Sequence, residues 1–229
     1  MTAKAVVQAH EAAISAALAA NQAARSSIVA SWARSANRHG LAPGQRIRPD
    51  RLTAQEFAEL CERMAPVSRV ARPALERLFQ AVGGLGACVI LASDEGIPVE
   101  RLGRNAEDRD FSEAGLWTGA LWSEASVGTN GIGTCLAEGR GVIIHRDQHF
   151  LSSNIGLTCA SAPVHDGDGR LVAVLDVSTA REDVSEGLAS LVGHSVTEAA
   201  RRIEADLFHA RHPRARLVLV PGQERGGSA

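Results

Sequence analysis

The chain has no paired-cysteine motif, no apolar run long enough to cross a bilayer and no marked excess of charge of either sign. Its four cysteines, Cys61, Cys88, Cys135 and Cys159, lie too far apart for a CxxC metal knuckle or redox pair. No secretory h-region precedes them, so reduced thiols and a cytoplasmic location are expected. No apolar run approaches the ~20 residues of a membrane helix, which argues for a soluble protein without a membrane partner. The formal net charge of −2 offers no general attraction to nucleic acid. Phosphate loops are lacking too. GxxxxGK[ST] is matched nowhere, and Leu136 stands where the third glycine of GxGxxG would follow Gly131 and Gly133. Tyrosine is missing altogether, yet two of the three tryptophans, Trp117 and Trp122, fall close together in the middle of the chain.

What is present suffices for a core. Of 229 residues, 45% are hydrophobic and 22% charged, ordinary values for one globular domain with helical extensions. Residues 2–38 are Ala-rich and free of Gly and Pro, with Val7, Ile14, Leu18, Ile28 and Trp32 at helical spacing, which predicts one long amphipathic helix. Val7, Ile14, Asn21 and Ile28 share a heptad position while Glu11 and Arg25 make the partner position polar. Both a coiled coil and a helix packed on its own domain fit that pattern. "HGLAPGQRIRPD" then breaks the helix. Thr53 and Glu56 form a capping box for a helix reaching about Met64, and a second segment runs from Pro66 to the Gly83-Gly84 stop.

The pattern then turns to β. Strands are expected at residues 88–92 and 99–102 as a hairpin, at 140–146, and in "LTCASAPVHDGDGRLVAVLDVS", where Asp166-Gly167-Asp168-Gly169 marks a second hairpin. A long helix follows from Ser185 to about His209. The fold class is α+β, an antiparallel sheet flanked by helices, with long helices at both ends.

"WSEASVGTNGIGT" (residues 122–134) reads as backbone that passes close to a packed strand or a bound ligand, because glycine permits such an approach. Its surroundings supply candidate pocket residues: Trp117, Trp122, Glu124, Thr129, Asn130, Thr134 and Cys135. The two tryptophans fit a core equally well. In "HRDQHF", His145 and His149 stand four apart, with Cys159, His165 and Asp147 as further donors for a metal; on a strand rather than a helix that spacing brings no convergence, so no metal or cofactor is assigned. A Cys135 or Cys159 pair with His145 or His149 lacks an elbow or oxyanion pattern, and no enzyme activity is expected.

Three stretches, "SWARSANRHGLAP", "WSEASVGTNGIGTCLAEGRGVIIHRDQHF" and "LTCASAPVHDGDGRLVAVLDVS", together resemble the N-terminal sensory region of sigma-54-dependent transcriptional activators of the acetoin-catabolism and dihydroxyacetone-regulator type. The resemblance covers residues 26–221 or so. It implies a GAF domain over residues 51–212, preceded by a helix and linker (1–50) and followed by a tail or entry to a next domain (213–229). The family's AAA+ ATPase and Fis-type helix-turn-helix are not found, since "TGALW" is no GAFTGA loop. An excised sensor fragment is therefore expected, with a stand-alone GAF protein as the alternative. By the same resemblance the region binds a small organic effector, a ketone, alcohol or diol, and controls activator output. Trp117, Trp122, Glu124, Asn130, Thr134, Cys135, His145, His149, Phe150 and Cys159 are its candidate ligand-binding residues. A homodimer paired through the terminal helices and an AAA+ domain of the full-length regulator are the implied partners, with no direct nucleic-acid contact. A metal- or redox-sensing GAF domain using the Cys and His residues is the competing reading.

Overall fold

Five strands form one antiparallel sheet in the order β2-β1-β5-β4-β3 in a computed structural model that describes residues 3–20, 23, 26–106 and 108–214. The strands are β1 (Ala87–Ser93), β2 (Pro98–Leu102), β3 (Val142–His145), β4 (Thr158–His165) and β5 (Leu171–Thr179). All seven residues of β1 are buried. Alternation explains how: Ala87, Val89 and Leu91 enter one core, whereas Cys88, Ile90 and Ala92 enter another. Both hairpins expected from the sequence form, and the β4–β5 turn is tied by Asp166, whose Oδ1 accepts from the amides of Asp168 (2.8 Å) and Arg170 (3.0 Å).

The first core lies under α3 (Ala54–Val82) and α7 (Glu186–Arg211). The capping box at Thr53 and Glu56 is made as expected. The two helical segments read from the sequence are a single helix, however, with Pro66 and Pro73 inside it. Both prolines and the residues four before them, Glu62 and Arg69, face water, so the interrupted bonds leave solvated carbonyls. The ~3 kcal/mol cost of each proline is offset by an inner stripe of Leu60, Met64, Ala71, Ala74, Leu75, Leu78 and Val82.

The second core is covered by shorter pieces. The expected long N-terminal helix is instead two: α1 (Ala3–Ala19) and α2 (Ser27–Ala33), the latter capped by Ser26 and continued by a wide π turn, Arg34–Arg38. Asn21 and Arg25 of the heptad pattern, and the tail from residue 215 on, lie outside the described residues. Ile14 is 1% exposed and joins Phe111, Trp122 and Phe150 on this face, so α1 packs on its own domain. Between β2 and β3 an insertion folds into α4 (Asp108–Glu113), α5 (Glu124–Val127) and α6 (Gly131–Glu138).

Ile14→Ala should lower unfolding free energy by about 2–4 kcal/mol, read by denaturant titration. A loss that instead varied with protein concentration would place Ile14 between chains.

Candidate functional site

The glycine-rich stretch opens a helix against a strand. Asn130 caps α6, its Oδ1 accepting from the Gly133 amide (2.9 Å) while its Nδ2 donates to the Gly128 carbonyl (2.8 Å). A Cβ on Gly131 would lie 2.6 Å from Cys159 Cβ and 2.8 Å from Asp176 Oδ1, and one on Gly133 would lie 2.5 Å from the Glu124 amide nitrogen. Of the two readings, packed strand or ligand, the close approach here is to β4 and β5.

This closeness assembles a polar lock. Glu124, 5% exposed, receives Ser31 Oγ at 2.5 Å on Oε1 and Arg34 Nε at 2.7 Å on Oε2. Arg34 Nη2 also reaches Glu124 Oε1 and Glu138 Oε1, each at 2.9 Å. The bond to Glu124 raises the Arg34 pKa above its ordinary value, against the opposing effect of burial. Ser31 Oγ lies 2.6 Å from Thr129 Oγ1 and 3.2 Å from Thr134 Oγ1. Two residues of α2 and its π turn are thus fastened to α5 and α6 by charge-assisted bonds in a desolvated place. Farther along, Trp32 Nε1 donates to the Gln148 carbonyl (2.8 Å), and His10 Nδ1 meets Ser152 Oγ (2.8 Å), tying α1 to the β3–β4 connection.

On the sheet itself, register lines up Arg101, Ile90, Asp176, Ser161 and Val142 across β2, β1, β5, β4 and β3. The parallel line one step along the strands carries Cys88, Ser178 and Cys159. Asp176 is fully buried; Ser161 Oγ donates to its Oδ1 (2.5 Å) and Ser178 Oγ to its Oδ2 (2.6 Å). Burial pushes its pKa up to about 6, with the two serines pulling the other way. Ser178 Oγ also lies 3.1 Å from Cys159 Sγ, which is 3.5 Å from His149 Nε2, and His149 Nδ1 donates to the Arg146 carbonyl (2.9 Å). Burial holds the His149 imidazole down to about 4, hence neutral.

The remaining sequence candidates divide by surroundings. Trp122, Cys135, Phe150 and Cys159 are interior, and Trp122 Nε1 donates to the Gly115 carbonyl (3.0 Å). Half-buried Trp117 stacks on Arg101, 4.4 Å from guanidinium carbon to ring centre. His145, half-buried, places Nδ1 3.0 Å from Thr158 Oγ1. Thr134 also lines an open cleft of ≈400 Å³ at the β3 edge, with Ser27, Arg140, Ser161, His194 and Thr197. His145 and His149 flank a single turn, Arg146–Gln148, rather than sharing a helix face. Among the described residues no three His, Cys, Asp or Glu side chains gather as a metal site. Burial lifts Cys88 and Cys135 to about 12 and Cys159 well above the ordinary thiol value, so all three stay as thiols with little nucleophilic or redox character.

Sequence reasoning missed Asp176, Ser161, Ser178, Arg101, Ser31 and Arg34. Only Asp176 carried a local signal: a carboxylate inside the apolar run "LVAVLDVST", where an unpaired charge is costly.

A family model described as "MimR, N-terminal domain" matches residues 2–201. The acetoin catabolism regulatory protein of Cupriavidus necator is 35% identical over 184 residues, 80% of this chain and 28% of its own length. The propane 2-monooxygenase operon transcriptional activator MimR of Mycolicibacterium smegmatis is 29% identical over 158 residues, 68% of this chain and 26% of its own. The chain therefore spans little more than a quarter of these relatives, which are named as transcriptional regulators. Among solved structures, a chain of the E. coli DhaR(N)-DhaL complex superposes with a TM-score of 0.71 at 20% identity, covering 82% of this chain and 63% of that one. That likeness agrees with the α+β fold. Among the described residues no helix is long and apolar enough to cross a membrane.

Two buried groups set opposing pH responses. Asp176, raised from 3.8 to about 6 on folding, makes stability fall as pH rises through that window. His149, lowered from 6.5 to about 4, makes stability rise with pH between those values. Asp176→Asn should therefore stabilise the fold at pH 7 by roughly 1–3 kcal/mol and steepen its loss below pH 6.5; denaturant midpoints across pH 4–8 decide. Separately, Arg34→Met should cost about 3 kcal/mol or more by leaving Glu124 buried and unpaired, with part of the loss regained on adding Glu124→Gln.

Proposed function

From the premise that the chain belongs to the MimR N-terminal domain family, we propose that it is the effector-sensing region of a bacterial sigma-54-dependent transcriptional activator, a GAF-type module that binds a small organic effector on the second face of the sheet. The single observation that carries this reading is the character of that face. Asp176, Arg101, His149 and three cysteines are held there among apolar side chains, where packing alone favours apolar residues. Pockets for small molecules are built this way, mostly apolar with a few placed polar groups. The effector class is a compact ketone, alcohol or diol, in keeping with relatives named for acetoin catabolism and for propane oxidation.

Transmission runs through the lock. An effector shifts a two-state equilibrium only by its differential affinity for the two states. α6 lies over the polar line and packs on α5, which holds α2 and its π turn through Glu124, so their displacement reaches the N-terminal helices directly. α7, packed on the sheet's other face, leads toward the part of the regulator that follows, an AAA+ domain in the proposed architecture. Val6 on α1 and Leu191 on α7 are large hydrophobics left exposed, at 38% and 63%, which supports a homodimer paired through these helices. The metal- or redox-sensing reading has less support, given three buried thiols and, among the described residues, no converging ligand set.

A thermal-shift screen of the purified chain against short ketones, alcohols, diols and hydrocarbons tests the reading. A binder stabilises by RT ln(1 + [L]/Kd), so at 100 times its Kd it adds about 2.7 kcal/mol. A concentration-dependent rise in Tm with one chemical class is the expected result, and no shift with any class at millimolar concentration sinks it.

A further inference from the structure

We propose that Arg101 is the residue that recognises the effector, and that the effector presents two oxygen acceptors side by side; this rests on the effector-binding reading above. Arg101 stands opposite Ile90 in the β1–β2 ladder and so points to the second face. Its side chain is only 8% exposed. Nη1 is held by Asp108 Oδ1 at 2.7 Å, and the guanidinium carbon lies 4.4 Å from the Trp117 ring centre and 5.1 Å from that of Phe111. Nε and Nη2 are buried and meet no oxygen or nitrogen acceptor among the described residues, the Arg101 side chain's remaining neighbour being the Cys88 sulfur. These two nitrogens form one edge of the planar guanidinium, with two parallel N–H donors in a fixed fork.

Packing does not account for this edge. Stacking between two rings and one ion pair would be served as well by a side chain without leftover donors, and a buried donor left unpaired loses its water for nothing. Gly103 leaves room for the guanidinium as a whole, since a Cβ there would fall 2.8 Å from Nη2 and 3.0 Å from both Cζ and Nη1. The neighbouring Cys88 is a protonated thiol, at most a weak acceptor. Asp108 already balances the charge of Arg101, so the fork lacks acceptors rather than a counterion. A carboxylate and a vicinal hydroxyketone or diol share the required chemistry, two adjacent oxygens.

The same rung sets the size. Asp176 stands two strands from Arg101, with Ile90 between, so their backbones are about 10 Å apart at a strand spacing of about 4.8 Å. On this proposal an effector of a few carbons would sit between the fork and Asp176, over Ile90 and beside the Phe111 and Trp117 rings. Because Asp108 opens α4, an effector seated on the fork stiffens the attachment of that helix to the sheet.

The test is calorimetric titration of the full chain with 3-hydroxybutan-2-one, butane-2,3-diol and lactate, against acetone and butan-2-ol as single-oxygen controls. Two-oxygen probes should bind about tenfold or more tightly than single-oxygen ones. Hydroxyketone or diol binding with lactate silent identifies a neutral effector, and the reverse identifies a carboxylate. Arg101→Lys keeps a cation for Asp108 but removes the fork, and should weaken binding about 10- to 100-fold. Should that variant fail to fold, the Nε–Hε signal of Arg101 in the unaltered protein, followed by NMR, must move on adding the probe. Equal affinity of Arg101→Lys, an unmoved Nε signal, or single-oxygen probes binding as tightly would overturn the assignment. If only another class from the thermal-shift screen binds, this inference falls and the effector reading stands; if nothing binds in either experiment, both fall.

Discussion

A sheet buried on both faces needs two covers, and everything in this protein follows from that need. The strands β1, β5 and β4 send alternate side chains to opposite sides, and neither set tolerates water. One side is closed by two long helices with continuous apolar stripes, a uniform solution that leaves little freedom. The other is closed by α1, α2 and three short helices whose own hydrophobic surface is small. They stay in place through polar bonds to one another, which are directional and desolvated. The stiff face thus supports the adjustable one.

This division also decided what the sequence made legible. Long periodic helices, the Thr53 capping box and the Asp166–Gly169 turn are local signals, carried within a few residues, and they could be read directly. The break after α1 and the short helices α4 to α6 could not. The helices of the insertion have 6, 4 and 8 residues, too few for a 3.6-residue period to declare itself. Pro66 misled for the opposite reason: the local rule was sound, but burial of a 29-residue helix against the sheet outweighed it.

The site was legible only in part, and the reason is separation along the chain. Glu124, Asn130 and Thr134 stood out because they share one unusual stretch with glycines. Their partners did not: Ser31 is 93 residues from Glu124 and Arg34 is 90. Arg101 sits in a short edge strand where an arginine attracts no notice, and only the β1–β2 register turns it inward. Trp122, Phe150, Cys135 and Cys159 are the residues most noticeable by type, and they fill the interior beneath the polar line. Asp176 was missed although it carried a local signal, a charge where the strand pattern wanted none.

The first turn of α6 bears on how this chain can vary. At Gly131 and Gly133 the helix lies so near β4, β5 and the start of α5 that the space for even one more carbon is already occupied. A neighbour could yield at Gly131, where the obstacles are side chains, but at Gly133 two of the three are main chain, from Ser123 and Glu124, and cannot be trimmed by any compensating substitution. Mutational tolerance on this face is therefore uneven at a scale of two residues. In the proposed effector site, preference can drift through the residues around Arg101, while α6 is fixed by the absence of a side chain.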